Sequence, residues 1–150
     1  MSRQGMTIAK QYASELPAFA NLAEAEKMLF QLRDKGLSQL LNTPDLGEKL
    51  DCSPPSLKTL EQWFFLKDQP VFLASGFSTS IAMGFYFGEV CCLHANFSWV
   101  VAEFAFEKGR YEIGIKRSLL SIMLSKGRLP SSTANKRMQS LWREFQRYAS

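Results

Sequence analysis

An α+β fold is expected for this chain on three observations. Apolar side chains recur at helical spacing in the first half, around Leu22, Leu29, Leu32 and Leu40 and again around Leu57, Leu60, Trp63 and Phe64. Tyr111, Ile113 and Ile115 alternate with Arg110, Glu112, Gly114 and Lys116, the period of a half-exposed strand. Met138, Leu141, Trp142, Phe145 and Tyr148 then make one apolar face of a closing helix. The predicted order is a helical N-terminal half, a Gly-rich central helix, a small antiparallel sheet and a C-terminal amphipathic helix.

Residues 1–20 have mixed character with Pro17 as a breaker, and can stay flexible. Asn21 opens the first helix, with Glu24 three residues on in capping-box position. Gly36 ends or splits that helix, and Asn42–Gly47 reads as a turn. Ser53 is the expected N-cap of the next helix, with Pro54 at its first position. The central helix runs from about Ser78 to His94. Gly76, Ser80, Gly84, Gly88 and Cys92 recur every four residues along it, a groove of small residues that admits another backbone. Internal packing is the preferred occupant, although a homodimer would use such a groove equally well.

The segment Phe97–Phe106 is rich in aromatic and β-branched residues. With the Gly109 turn and the alternating segment after it, it forms an antiparallel hairpin. Leu119, Leu120, Ile122 and Met123 suggest a short helix stopped by Gly127. The last helix starts after Pro130, capped by Ser131 or Ser132. Trp63, Phe85, Trp99, Phe104, Ile113 and Trp142 are the expected core. With 150 residues, no repeat and no dividing linker, residues 1–150 are read as one domain. A composition 46% hydrophobic and 13% aromatic excludes disordered and collagen-like classes.

Three cysteines, two of them adjacent, argue against a disulfide framework and for a reduced, cytoplasmic protein. The first residues lack the apolar stretch of a signal peptide. Pro70–Gly88 is long enough for a membrane span, but serines and a threonine dilute it and no Lys/Arg asymmetry flanks it, so no membrane role is expected.

The net charge of +4 hides a division. Residues 1–107 carry 8 Lys/Arg against 12 Asp/Glu, and residues 108–150 carry 10 against 2. Lys136, Arg143 and Arg147 share a face of the last helix, with Arg137 beside them. Such polarity attracts a partner without naming it. An acidic protein surface and nucleic acid are both candidates for the basic 108–150 surface.

Glu89 is the one formal charge between Gln69 and Ala102. Desolvation there would raise its pKa unless a cation pairs with it, which is how catalytic acids are made and also how structural ion pairs look. The structural reading is preferred: Glu89 paired to Arg or Lys of the basic third, or facing water. His94, the only histidine, stands five residues on and would not stack on Glu89 along a helix. Cys91, Cys92 and His94 lack zinc-site spacing, and no phosphate-binding or nucleophile-elbow motif is present. No metal and no cofactor are therefore expected.

Tyr86-x-Gly88-Glu89, followed ten residues later by Trp99, resembles a Tyr-x-Gly-Glu…Trp motif of small uncharacterised bacterial domains, some of toxin–immunity type. The resemblance covers about Ser78–Gly127 and implies a small α+β domain without known catalytic residues. The expected function is a non-catalytic bacterial binding protein acting through protein–protein contact, in an immunity or adaptor role, with Glu89, Arg137, Arg143 and Arg147 as binding residues. The alternatives are a nucleic-acid-associated protein using the 108–150 surface and a small enzyme built on Glu89.

Overall fold

The computed structural model describes residues 3–132 and 138–149, and its first element is one that the sequence does not announce: helix α1, Arg3–Ser14. Tyr12 Oη donates to Glu112 Oε1 at 2.5 Å, Lys126 pairs with Glu15, and the Tyr12 ring lies 5.2 Å from that of Phe104. These contacts are tertiary, which is why residues 1–20 look mixed in isolation. After Pro17 the chain runs beside the start of the sheet, where Phe19 N–H donates to the Gly109 carbonyl and Tyr111 N–H to that of Pro17.

Helix α2, Leu22–Leu41, begins as expected. Asn21 Oδ1 accepts from Glu24 N–H at 2.8 Å, and Glu24 reaches back to the Ala20 N–H at 3.2 Å, one residue short of the usual box partner. Gly36 neither ends nor splits this helix. It is buried at the contact with Phe77 and Phe85, where a Cβ would come within 2.8 Å of the Phe85 ring. Leu29 and Leu40 are buried, whereas Leu22 and Leu32 point outward. A short 3-10 turn at Gly47–Lys49 follows.

Helix α3, Ser56–Leu66, starts later than the expected cap at Ser53. The Ser53 hydroxyl is turned away to donate to Asp51 Oδ1 at 2.5 Å, leaving Pro55 at the cap with no side-chain bond. Leu57, Leu60 and Phe64 are buried and Trp63 is partly so.

Helix α4, Thr79–His94, is the centre of the molecule and packs against α2 and the sheet. Its N-cap is Ser78, whose hydroxyl oxygen accepts from Ile81 N–H. The groove of small residues is filled from within the chain. Arg128 N–H donates to the Ser80 carbonyl at 2.9 Å, and a Cβ on Gly84 would stand 3.1 Å from the Gly127 Cα. At Gly88 the space is taken by Trp99 and Leu124. The homodimer expectation that rested on this groove therefore loses its surface. Gly76 lies outside the helix.

The sheet has the order β1–β2–β3, with β1 at Ser98–Glu103, β2 at Tyr111–Arg117 and β3 at Leu120–Met123, all antiparallel. The register pairs Trp99 with Ile115 and Val101 with Ile113, so these four share the face covered by the helices. The expected helix over 118–125 is instead strand β3. Ser118 takes a left-handed φ of 53°, which turns the chain back so that residues 120–123 pair with β2. The need of the β2 backbone groups for partners outweighs the weak helical spacing of four apolar residues.

Ser131–Ser132 and Met138–Gln139 pair as strands β4 and β5 rather than beginning the last helix, so Met138 leaves the predicted helical face. Helix α5, Leu141–Ala149, follows, packing on α3 and α4. The core contains Phe85 and Ile113 as expected. Trp63, Trp99 and Trp142 are only partly buried, and Phe104 lies outside the core with Tyr12 and Phe106.

Candidate functional site

The residues of the Tyr-x-Gly-Glu…Trp pattern meet at one place. On α4, Tyr86, Gly88 and Glu89 lie within four residues, so about one turn of backbone carries all three. The Tyr86 hydroxyl accepts from Cys52 N–H at 2.9 Å and lies 2.5 Å from Ser56 Oγ. Because Ser56 gives its own hydrogen to the Ser53 carbonyl at 2.6 Å, Tyr86 is the donor to Ser56. Gly88 leaves the room that Trp99 occupies: a Cβ would stand 2.6 Å from Trp99 Cη2. Trp99 Nε1–H then donates to Glu89 Oε2 at 3.2 Å.

Cys52 is held from both sides by α4. Its carbonyl lies 3.0 Å from His94 Nε2, and since a carbonyl only accepts, that nitrogen carries the hydrogen. Cys52 adopts a left-handed φ of 63°, which these two bonds hold in place.

Around this unit lies an open cleft of about 440 Å³ lined by Arg33, Asp34, Leu37, Leu41, Cys52, Tyr86, Glu89 and Trp99. Arg33 comes from α2 and is built into the wall. Its Nε and Nη2 both lie 3.0 Å from Asp34 Oδ1, and its guanidinium carbon lies 4.7 Å from the Phe30 centroid and 5.2 Å from that of Trp99. Burial, and next the Glu89 charge, push the Cys92 thiol up to about 12; the same two causes raise Cys52. Burial likewise pushes Cys91 up to about 12. All three thiols are thus protonated at neutral pH and poor nucleophiles.

Among the expected site residues that are described, Glu89, Arg143 and Arg147, only Glu89 lies in this cleft. Its bond goes to Trp99, and the cation lining the same cleft is Arg33, from the first half of the chain. Of the two expected settings for Glu89, a pair with the basic third or exposure to water, no pair is found among the described residues, and none of the described residues of 108–150 lines the cleft. Arg143 and Arg147 are exposed on α5, and Arg137 lies outside the described residues, as does Lys136. Cys91, Cys92 and His94 do not converge, and no metal-binding group of three is found among the described residues.

Much of the basic third is engaged internally. Arg110 donates to the Leu16 carbonyl at 2.6 Å, and Arg117 Nη1 to those of Ala95 at 2.8 Å and Tyr148 at 2.6 Å. Lys126 pairs with Glu15 and Arg128 with Glu144.

A second polar centre was not visible from composition. Glu61 of α3 is buried, 7% exposed, and its carboxylate caps the start of α5. Oε1 and Oε2 accept from Ser140 Oγ at 2.8 and 2.9 Å, and Oε1 also accepts from Trp142 N–H at 2.9 Å. A clue lay in the spacing, since Glu61 stands between Leu57, Leu60 and Phe64 on the apolar stripe. Arg33 offered no such clue, because its closeness to Trp99 exists only in the fold.

Residues 18–149, which contain the whole cleft, match the model of a family described as Uncharacterised protein YwmA. The chain belongs to the YwmA family. No curated protein and no solved structure matches it. Within the YwmA match lie α2 to α5 and both sheets, while α1 precedes it. No helix among the described residues is long and apolar enough to cross a membrane.

Proposed function

We propose that this YwmA-family protein is a non-catalytic bacterial binding protein, acting in the cytoplasm by contact with another protein through the cleft between α2, α4 and β1. One observation carries the reading. The polar groups of the cleft are held in fixed orientations: Glu89 by the Trp99 indole, Arg33 by Asp34, Tyr86 by Cys52 and Ser56. A rigid, open frame with apolar Leu37 and Leu41 beside fixed charges suits recognition, since binding to it costs little ordering entropy. The likeness of Tyr86, Gly88, Glu89 and Trp99 to the motif of toxin–immunity domains favours an immunity role over an adaptor role.

The enzyme reading needs a proton-transfer partner for Glu89. His94 does not line the cleft and its Nε2 is spent on the Cys52 carbonyl. The nucleic-acid reading is weakened because Arg110, Arg117, Lys126 and Arg128 are bound within the molecule.

A photocrosslinking residue placed at Leu41, on the cleft rim, tests the proposal in bacterial cells expressing the full chain. A discrete protein adduct is expected, lost when Arg33→Ala is added. Absence of any adduct from the cleft, with the same residue crosslinking at an unrelated exposed position, counts against protein contact at this site.

A further inference from the structure

We infer that the cleft recognises a basic side chain, lysine or arginine, presented by its protein partner. This rests on the proposed binding role and specifies its chemistry. Three charged residues line the cleft among the described residues, and two of them offset one another. Arg33 is paired with Asp34 and covered by Phe30 and Trp99, so it has little left for an incoming anion. Glu89 is the uncompensated charge. Its Oε2 accepts the neutral Trp99 N–H, a bond that orients the carboxylate without cancelling its charge. Oε1 has no partner among the described residues.

The described lining charges, Arg33 against Asp34 and Glu89, leave one negative charge in excess, set beside apolar walls that strengthen it. The other lining groups select the form of the cation. Leu37, Leu41 and Trp99 offer an apolar passage, suited to the methylene stem of Lys or Arg with its charged end at Glu89. A bare metal ion would find a single carboxylate and an indole donor there, not a ligand set.

The test uses the full chain and three small probes: N-acetyl-lysine amide, N-acetyl-arginine amide and N-acetyl-norleucine amide, the last an uncharged copy of the stem. The indole Nε1–H resonance of Trp99, assigned with Trp99→Phe, reports occupancy beside Glu89. A saturable shift with a basic probe, its absence with the norleucine probe, and its loss in Glu89→Gln are expected. An equal shift from norleucine, no shift from either basic probe, or an undiminished shift in Glu89→Gln overturns the inference. In that variant the amide oxygen can still accept from the Trp99 indole, and retention of this bond, seen from the indole shift without probe, separates loss of charge from loss of shape. Failure here with a persisting Leu41 crosslink would leave protein binding intact and remove only the basic side chain; the converse result would remove the protein partner.

Discussion

Glu61 and Ser140 are 79 residues apart in sequence, and the Ser140 hydroxyl lies within 2.9 Å of both oxygens of the Glu61 carboxylate. The same carboxylate accepts from the Trp142 N–H, so one side chain of α3 satisfies one orphan donor in the first turn of α5. Lys58, one turn earlier on α3, places its ammonium 4.6 Å from the Trp142 ring centroid. The basic C-terminal helix is thus docked by an acidic residue hidden in an apolar stripe.

Removing that acceptor should therefore loosen the C-terminal helix. Glu61→Ala leaves the Trp142 N–H and the Ser140 hydroxyl without it, a loss of about 2–3 kcal/mol for a buried bond to a charged group. Glu61→Gln, which keeps one acceptor oxygen, should lose about 1 kcal/mol. Urea unfolding at pH 7 measures both; an unchanged midpoint in Glu61→Ala would show that the cap contributes nothing net.

Gly88→Ala sets two opposing effects against each other. Alanine is better than glycine in a helix interior by about 1 kcal/mol. The new methyl would, however, stand 2.6 Å from Trp99 Cη2 and 2.7 Å from Leu124 Cδ1. Overpacking of a fitted contact costs about 1–3 kcal/mol, so a net loss and a changed Trp99 emission are expected. A more stable variant would mean that Trp99 and Leu124 yield at no cost.

Alkaline pH should destabilise the fold. Burial, its largest cause, pushes Cys91 and Cys92 from 9.0 up to about 12. Above pH 9 the unfolded chain ionises these thiols while the folded chain keeps them protonated, so their contribution is present below that pH and is lost as pH rises toward 12. Tyr86, also raised by burial, acts in the same direction. Urea midpoints should fall between pH 9 and pH 10.5, with a shallower fall in Cys91→Ala. A midpoint flat across that range would contradict the burial argument. Glu89→Gln, by removing a charge that raises Cys92, should also speed its alkylation.

Arg117→Met should free the end of α5. The guanidinium donates to the Ala95 and Tyr148 carbonyls and lies 4.8 Å from the Phe97 centroid, joining the ends of α4 and α5 to the hairpin. A loss of about 2 kcal/mol is expected for two charge-assisted bonds. Amide exchange in residues 141–149 should rise more than in β1 and β2, and equal protection in both regions would argue against this role.

Local chemistry wrote several of these features plainly. Asn21 caps its helix as read because a side-chain oxygen satisfies an orphan N–H three residues on, a relationship contained in a few consecutive residues; Ser78 does the same on α4. The β1–β2 hairpin was readable from alternation across one short turn. Strand β3 was not, since its apolar residues fit a helical turn as well as a strand and only pairing with β2 decides between them. In the cleft, Glu89 stood out as a charge in an apolar stretch, whereas Arg33 and Asp34 looked like any solvated pair on a helix.

By itself the sequence determined the α+β class, the central helix with its groove of small residues, the hairpin and the amphipathic C-terminal helix. Each follows from spacing or from a side chain acting on its near neighbours. Tertiary structure alone decided who meets whom. It filled the groove with residues 124–128, gave Glu89 to Trp99 rather than to the basic third, and set Glu61 beneath α5. Periodicity says which face of an element is buried, but partners across the core depend on how several faces close on one another, and that geometry is written in no single segment.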